Sequence, residues 1–448
     1  MNERSVLPLR EFAEELASGV QAPSEAVCLR VLDGVAAYVL GSVTEEGMAV
    51  SRLIGRLAGE VDRVVWSGGI LDDVFARVSI ARLTECDDIH SPSGTTPGSV
   101  TVPVAVTVGA HLHATGEELS RAVASGYEAM ARLGLAAGGP RCAERGIWAT
   151  YLGAGFAAAA TTSVLLRLDV ERTYQALNLA LTRAAWVAAS SGGGMPLSRW
   201  LTVGEAARSG CIAAFAALEG FQTKLDLERF AAITGVILDF SALCSSTNAI
   251  TESSVKPFPI AKQALAAVEA ARRLANRVTL STVRAVRVFV TEPCLDVTGR
   301  DPHVDSRLSR ISSVRWNVAL ALGCGGGLYD VERANPPLVE PRLARLAELV
   351  MVQADRELLN YYPKWWPARV EIETEDGTFE ELVVEAPGDF NSIDLTWKVI
   401  EEKWKRLVTE TVFASLKAAA EEATLRSGAL IRLDSLIRSL SVSGHDAI

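Results

Sequence analysis

The sequence predicts a mainly α fold: a large all-helical domain over residues 1–270 and 392–448, and a smaller α+β lid domain over residues 271–391. Three observations carry this reading. Apolar residues recur at helical spacing up to about residue 270, alternation with a period of two sets in near residue 279, and helical spacing returns after Pro387-Gly388. A chain of 448 residues is also too long for one ordinary core. The cleft between two such bodies is the expected place for a ligand.

The elements follow in order. Ser24 opens an apolar stretch through Val27, Leu29, Val31 and Leu32 to Leu40, which reads as a buried helix. Thr115 with Glu118 three residues later has the spacing of a capping box, and behind it Leu119, Ala122, Val123, Gly126, Tyr127, Met130 and Leu133 share one helical face. The Ala-rich run after Gly153 predicts helices packed closely, because small side chains let axes approach. Asp169 caps a further helix in which Tyr174, Leu177 and Leu181 share a face. Thr282–Val290 alternates as a strand should; Ala368–Thr374 and Phe379–Val384 form a hairpin through Asp376-Gly377. Asn317–Leu322 is helical in pattern, and Trp397, Ile400, Trp404 and Leu407 lie on one face of a helix after the lid.

Hydrophobic residues at 49% and charged residues at 22% describe a globular chain. The net charge of -10 and the absence of a basic stretch argue against nucleic acid as the main partner; a small-molecule substrate is the partner expected of the cleft. The seven cysteines stand singly, without a C-x-x-C pair, as in a reduced compartment where each is a small buried apolar residue. The N-terminus lacks the apolar core of a signal peptide. The most apolar stretch, Ala154 to Leu168, falls short of the roughly 20 residues of a membrane span. The expectation is a cytoplasmic protein that binds no membrane. His111 and His113 have no third ligand at suitable spacing, so no metal site is expected. The triple glycine Gly192–Gly194 lacks the G-K-[ST] of a phosphate loop and reads as a segment shaping the cleft.

Several segments occur in a telling order: LTECDDIHSPSGTTPGSVTVPVAVTVG (Leu83–Gly109), ASGYEAMARLG (Ala124–Gly134), RGIWATYLGAGFAAAATTSVLLRLD (Arg145–Asp169), GGGMPLSRWLTVGEAARSGCIAAFAALEGF (Gly192–Phe221), VKPFPIAKQALAAVEA (Val255–Ala270) and SRISSVRWNVALALGCG (Ser309–Gly325). Together they resemble the MmgE/PrpD family, which includes methylcitrate dehydratase, cis-aconitate decarboxylase and iminodisuccinate epimerase. The resemblance runs from about residue 5 to 410. It implies the fold just described, a homodimer, and chemistry free of metal and cofactor: a base removes a proton beside a carboxylate or carbonyl while cations hold the anion.

Residue by residue, the resemblance carries over unevenly. Asp87, Asp88 and His90 match the D-D-T-H pattern, with Ile89 for its threonine, but Thr96 stands where the histidine of H-P-G belongs. Trp148 replaces the histidine of G-[WF]-H-P-T, Arg199 a lysine, Ala264 a later histidine, and Trp316 the tyrosine of S-L-P-Y; Lys256 of KPFP is retained. Indole donates one hydrogen bond and does not titrate, and guanidinium does not release its proton. The candidate catalytic residues are therefore Asp87, Asp88, His90 and Lys256. The candidate substrate-binding residues are Thr96, Trp148, Tyr151, Arg199, Arg315 and Trp316, with Tyr151 either a replacement proton donor or a core residue. The Asp pair has a structural alternative too, as a cap or an anchor for the loop before Pro92.

Three functions fit these residues. One is a rewired lyase, isomerase or cyclase acting on a more apolar carbonyl or carboxylate compound in specialised metabolism. The second is a family-typical dehydratase, decarboxylase or epimerase of small polycarboxylates. The third is a non-catalytic homologue that binds a ligand or a partner.

Overall fold

The computed structural model describes residues 3–58, 69–145, 147–183, 198–298, 307–324, 341–389, 393–426 and 428–442. Most of the described residues are helical, with a four-stranded mixed sheet in the C-terminal part.

The Ser24–Ser42 helix is the axis of the helical body, buried from Ala26 to Gly41. The helices Ile70–Arg82, Gly98–His111 and Gly116–Ala136 pack around it, as does Ile393–Leu407 after the sheet. Small residues set the spacing, as the Ala-rich run predicts. A Cβ on Gly210 would stand 2.1 Å from the Gly155 carbonyl oxygen, so the Ser198–Leu218 and Ala149–Leu165 helices touch backbone to backbone. Among the described residues Trp200–Leu218 is long and apolar enough to cross a bilayer, yet half of it is buried in the structure.

Both predicted caps are formed. Thr115 accepts from Glu118 N while the Glu118 carboxylate takes Thr115 N, and Asp169 accepts from Arg172 N. Thr115→Ala removes one of these reciprocal bonds and is expected to cost about 1 kcal/mol, read as an earlier midpoint in urea followed by helical circular dichroism.

The sheet has the order β2-β1-β3-β4, with β1 Val283–Val290, β2 Val350–Ala354, β3 Ala368–Thr374 and β4 Gly377–Val383. The expected strand and hairpin are present, the hairpin turning at Gly377 with φ +135°. β2, absent from the sequence reading, pairs parallel to β1 with Val288 opposite Val352. The apolar cluster beneath the sheet starts at Phe258 and includes the Lys262–Ala275 helix, so that helix packs with the sheet although the expected division lies at 270. Cys28, Cys86, Cys142, Cys211 and Cys294 are buried as expected. Cys244 and Cys324 are exposed, which corrects the reading of all seven as core residues.

Candidate active site

The segment after the Ile70–Arg82 helix turns inward at Glu85, whose φ of +57° is left-handed. A side chain in that conformation costs roughly 1–2 kcal/mol. The turn is held from several sides. Ile89 and Ser254 exchange backbone hydrogen bonds at 2.9 and 2.8 Å, which lays Asp87–Ile89 alongside Ser254–Lys256. Lys403, from the returning Ile393–Leu407 helix, donates to the Cys86 carbonyl at 2.9 Å and to Asp33. Asp389 accepts from Ser254 Oγ at 2.7 Å, from Ala386 N at 2.8 Å and from Lys262, tying this seam to the exit of the sheet.

Inside the turn four charges meet. The Glu85 carboxylate bridges Arg82 Nη2 at 2.8 Å and Lys256 Nζ at 3.2 Å. Asp87 Oδ1 lies 3.1 Å from Arg82 Nη1 and 3.6 Å from Lys256 Nζ. Burial works against the Arg82 cation, but Asp87 and Glu85 outweigh it and hold the guanidinium firmly charged. Lys256 is 1% exposed and Asp87 0%. A buried pair of acids sharing a pair of cations is a place where a proton or a substrate anion can be exchanged for an internal partner. Glu85 was not among the residues singled out from sequence. Its position two residues before Asp87 was the signal.

Asp88 faces the other way. Its Oδ1 accepts from Gly98 N at 2.8 Å and its Oδ2 from the Tyr127 hydroxyl at 2.6 Å, with Arg30 Nη1 at 3.6 Å. Both oxygens are engaged in fixing the loop to the start of the Gly98–His111 helix and to the G-Y-E segment. The geometry is that of the structural alternative, an anchor. Burial, opposed by Arg30 and reinforced by Asp33, pushes its pKa up to about 6.

His90 is 1% exposed, with Nδ1 2.8 Å from Ser93 Oγ, and burial lowers its pKa to about 4. Four buried polar atoms of this neighbourhood have no hydrogen-bond partner among the described residues: Asp33 Oδ2, Arg82 Nε, Asp87 Oδ2 and His90 Nε2. Buried atoms of this kind cost free energy until a ligand or water meets them.

The start of the Ala149–Leu165 helix also reaches the site. Thr150 Oγ1 is 3.3 Å from Thr96 Oγ1 and accepts from Thr96 N at 3.2 Å, and Tyr151 is close enough to Arg82 to affect its charge. Thr96, in the place of a family histidine, thus serves as a hydroxyl tie. Tyr151 is 4% exposed, and Trp148 is half-buried against the helical core.

The other candidate substrate-binding residues do not come together at this cluster. Trp316 is buried in the sheet-side cluster with the Arg310 guanidinium 4.9 Å from its ring centre, so Trp316 and Trp148 pack in different cores. Ala264 is likewise buried in that cluster. Arg315 is half-buried at the start of the Val314–Gly323 helix. Arg199 begins the Ser198–Leu218 helix, but its side chain, like Gly192–Gly194, lies outside the described residues. Among the described residues the charged cluster is closed, not an open cleft. A cavity of about 240 Å³ opens elsewhere, beside Arg121 and Ser163.

Residues 12–236 match the MmgE/PrpD N-terminal domain and residues 258–427 match the MmgE/PrpD C-terminal domain. The chain belongs to the MmgE/PrpD family. The N-terminal match contributes Arg82, Glu85, Asp87, Asp88 and His90, and Lys256 stands two residues ahead of the C-terminal match. The site therefore lies at the seam of the family's two domains. MmgE/PrpD proteins are in general lyases or isomerases such as dehydratases. No curated protein matches the chain.

Proposed function

We propose that the protein is a cofactor-independent lyase or isomerase/cyclase, cytoplasmic and homodimeric, acting on a carbonyl- or carboxylate-bearing substrate of relatively apolar character. The observation that carries this reading is the shared pairing of Glu85 and Asp87 with Arg82 and Lys256 in the buried interior. A substrate carboxylate entering there competes with Glu85 for the two cations. The displaced carboxylate is then free to take a proton from the carbon beside the substrate's carbonyl, while Lys256 and Arg82 stabilise the negative charge that develops. Arg82 acts only as a cation, since guanidinium does not deprotonate. Lys256 can also return a proton to the leaving oxygen.

Charge balance favours a substrate with few carboxylates. Arg30, Arg82, Lys256 and Lys403 face Asp33, Glu85, Asp87 and Asp88, so the described neighbourhood has no surplus cation for a tricarboxylate. Thr96 and Trp148 also supply no imidazole where the resemblance places one.

The test is a panel of methylcitrate, cis-aconitate, iminodisuccinate and monocarboxylate β-hydroxy or β-keto compounds, each followed by mass spectrometry with Glu85→Gln as control. Turnover confined to compounds with one carboxylate, and lost in the control, is the expected result. Fast turnover of the polycarboxylates would overturn the substrate assignment, and activity surviving in Glu85→Gln would overturn the site.

A further inference from the structure

The cavity beside Arg121 lies apart from the Asp87–Lys256 cluster and is itself a built polar site. Its roughly 240 Å³ is bounded by the Glu3–Ser18, Gly116–Ala136 and Ala149–Leu165 helices and the turn into Val170–Thr182 and is partly open to solvent, with Leu16, Glu118, Arg121, Ser163, Arg167 and Thr173 among its walls. Two guanidinium groups meet a single carboxylate, and that carboxylate is already engaged. Glu118 Oε2 accepts from Thr115 N at 2.8 Å, and its Oε1 is taken by Arg167.

Arg121 is left with one weak tie, from Nη2 to the Ala17 carbonyl at 3.4 Å, while its buried Nε has no hydrogen-bond partner among the described residues. Its position is fixed by the chain passing over it. Gly19 leaves the first helix at φ +98°, and a Cβ there would stand 2.2 Å from Arg121 Nε, so only glycine lets the guanidinium lie beneath. Ser163, 1% exposed, lines the same cavity, and its hydroxyl also lacks a partner among the described residues. Arg121 and Ser163, each with an unpartnered donor among the described residues, thus line one space whose walls carry two guanidinium groups and one carboxylate. The volume falls below the ~300–1,000 Å³ of drug- and cofactor-sized pockets, so the ligand is small.

We propose that this cavity binds a small oxyanion, a carboxylate or a phosphate, with the Arg121 guanidinium and the Ser163 hydroxyl donating to it. Leu16 and Val164 form the apolar part of the wall. The anion would pin the first helix and the Ala149–Leu165 helix to the middle of the body.

Calorimetric titration of the full chain with inorganic phosphate and, separately, with acetate tests this at an ionic strength held constant with chloride. The expected result is saturable binding of at least one anion, and which one binds separates the two sources. Arg121→Met should weaken that binding about tenfold or more, the worth of a charge-assisted hydrogen bond. Ser163→Ala should weaken it severalfold while leaving the charge in place. Absence of saturable binding for both anions overturns the proposal. So does undiminished binding in Ser163→Ala, a small change that decides the matter even if Arg121→Met fails to fold.

Discussion

Lys256→Met is expected to destabilise the chain by about 3–5 kcal/mol at pH 7, the cost of breaking a buried pair from one side. The reason lies in the count of charges around one ammonium. Glu85 and Asp87 would lose one of the two cations they share and keep Arg82 between them, which weakens the compensation of two buried negative charges. The loss should ease in acid, because protonating either carboxylate removes the surplus charge. It should also ease in Lys256→Met/Glu85→Gln, where Arg82 and Asp87 remain as a balanced pair. A coupling of 1 kcal/mol or more between the two substitutions is then expected in a double-mutant cycle. Denaturant midpoints at pH 5 and pH 8 for the four proteins give the answer. A cost under about 0.5 kcal/mol, typical of a solvated surface lysine, would mean that Lys256 does not sit between two buried acids. Turnover of any substrate found in the panel should disappear in the single variant, since the same ammonium holds the anion.

The helical body was legible because its signals are local. Thr115 and Glu118 form a capping box whatever surrounds them, and the alternation of Val286, Val288 and Val290 announces β1 within one short stretch. β2 escaped because Val350–Ala354 is five residues long and follows a helix directly. Its strand character comes from pairing with β1, more than 60 residues earlier in the chain. The site was half legible for a related reason. Asp87, His90 and Lys256 stand in recognisable segments. What cannot be read from spacing is direction: that Asp88 points away to Tyr127 and Gly98, while Glu85 points toward Lys256. A left-handed turn at Glu85 is what sends these neighbours to different places. The charge partners arrive from afar, with Lys403 more than 300 residues from Cys86. Trp148 and Trp316 were grouped as substrate-binding candidates because both replace titrating residues, yet side-chain chemistry alone does not say which core each ring enters.

His90 gives the second large effect, and its sign discriminates a dry site from a wet one. Burial lowers its pKa from 6.5 to about 4, with Glu128 opposing and Arg30 adding to the shift. The unfolded chain takes up a proton as pH falls through 6.5, while the folded chain resists until about 4. The stability contributed by neutral His90 is therefore complete above pH 6.5 and is lost as pH falls toward 4. At about 1.4 kcal/mol for each tenfold in proton affinity, the loss is about 3 kcal/mol. Asp88 acts in the opposite sense over the same range. Its pKa is raised from 3.8 to about 6, so its contribution is present at low pH and lost as pH rises through 6. The two largely mask each other in the wild type, and substitution separates them. His90→Gln should become relatively more stable than the wild type on going from pH 7 to pH 4, by about 3 kcal/mol. Asp88→Asn should unmask the acid loss due to His90. Among the five histidines, the ring protons of His90 should stay unshifted in NMR titration down to about pH 5. Parallel stability curves for wild type and His90→Gln, with a His90 midpoint near 6.5, would show an imidazole open to water. In that case Nε2 would not be a buried atom, and proton transfer would have to be argued from Glu85 and Lys256 in a solvated cleft.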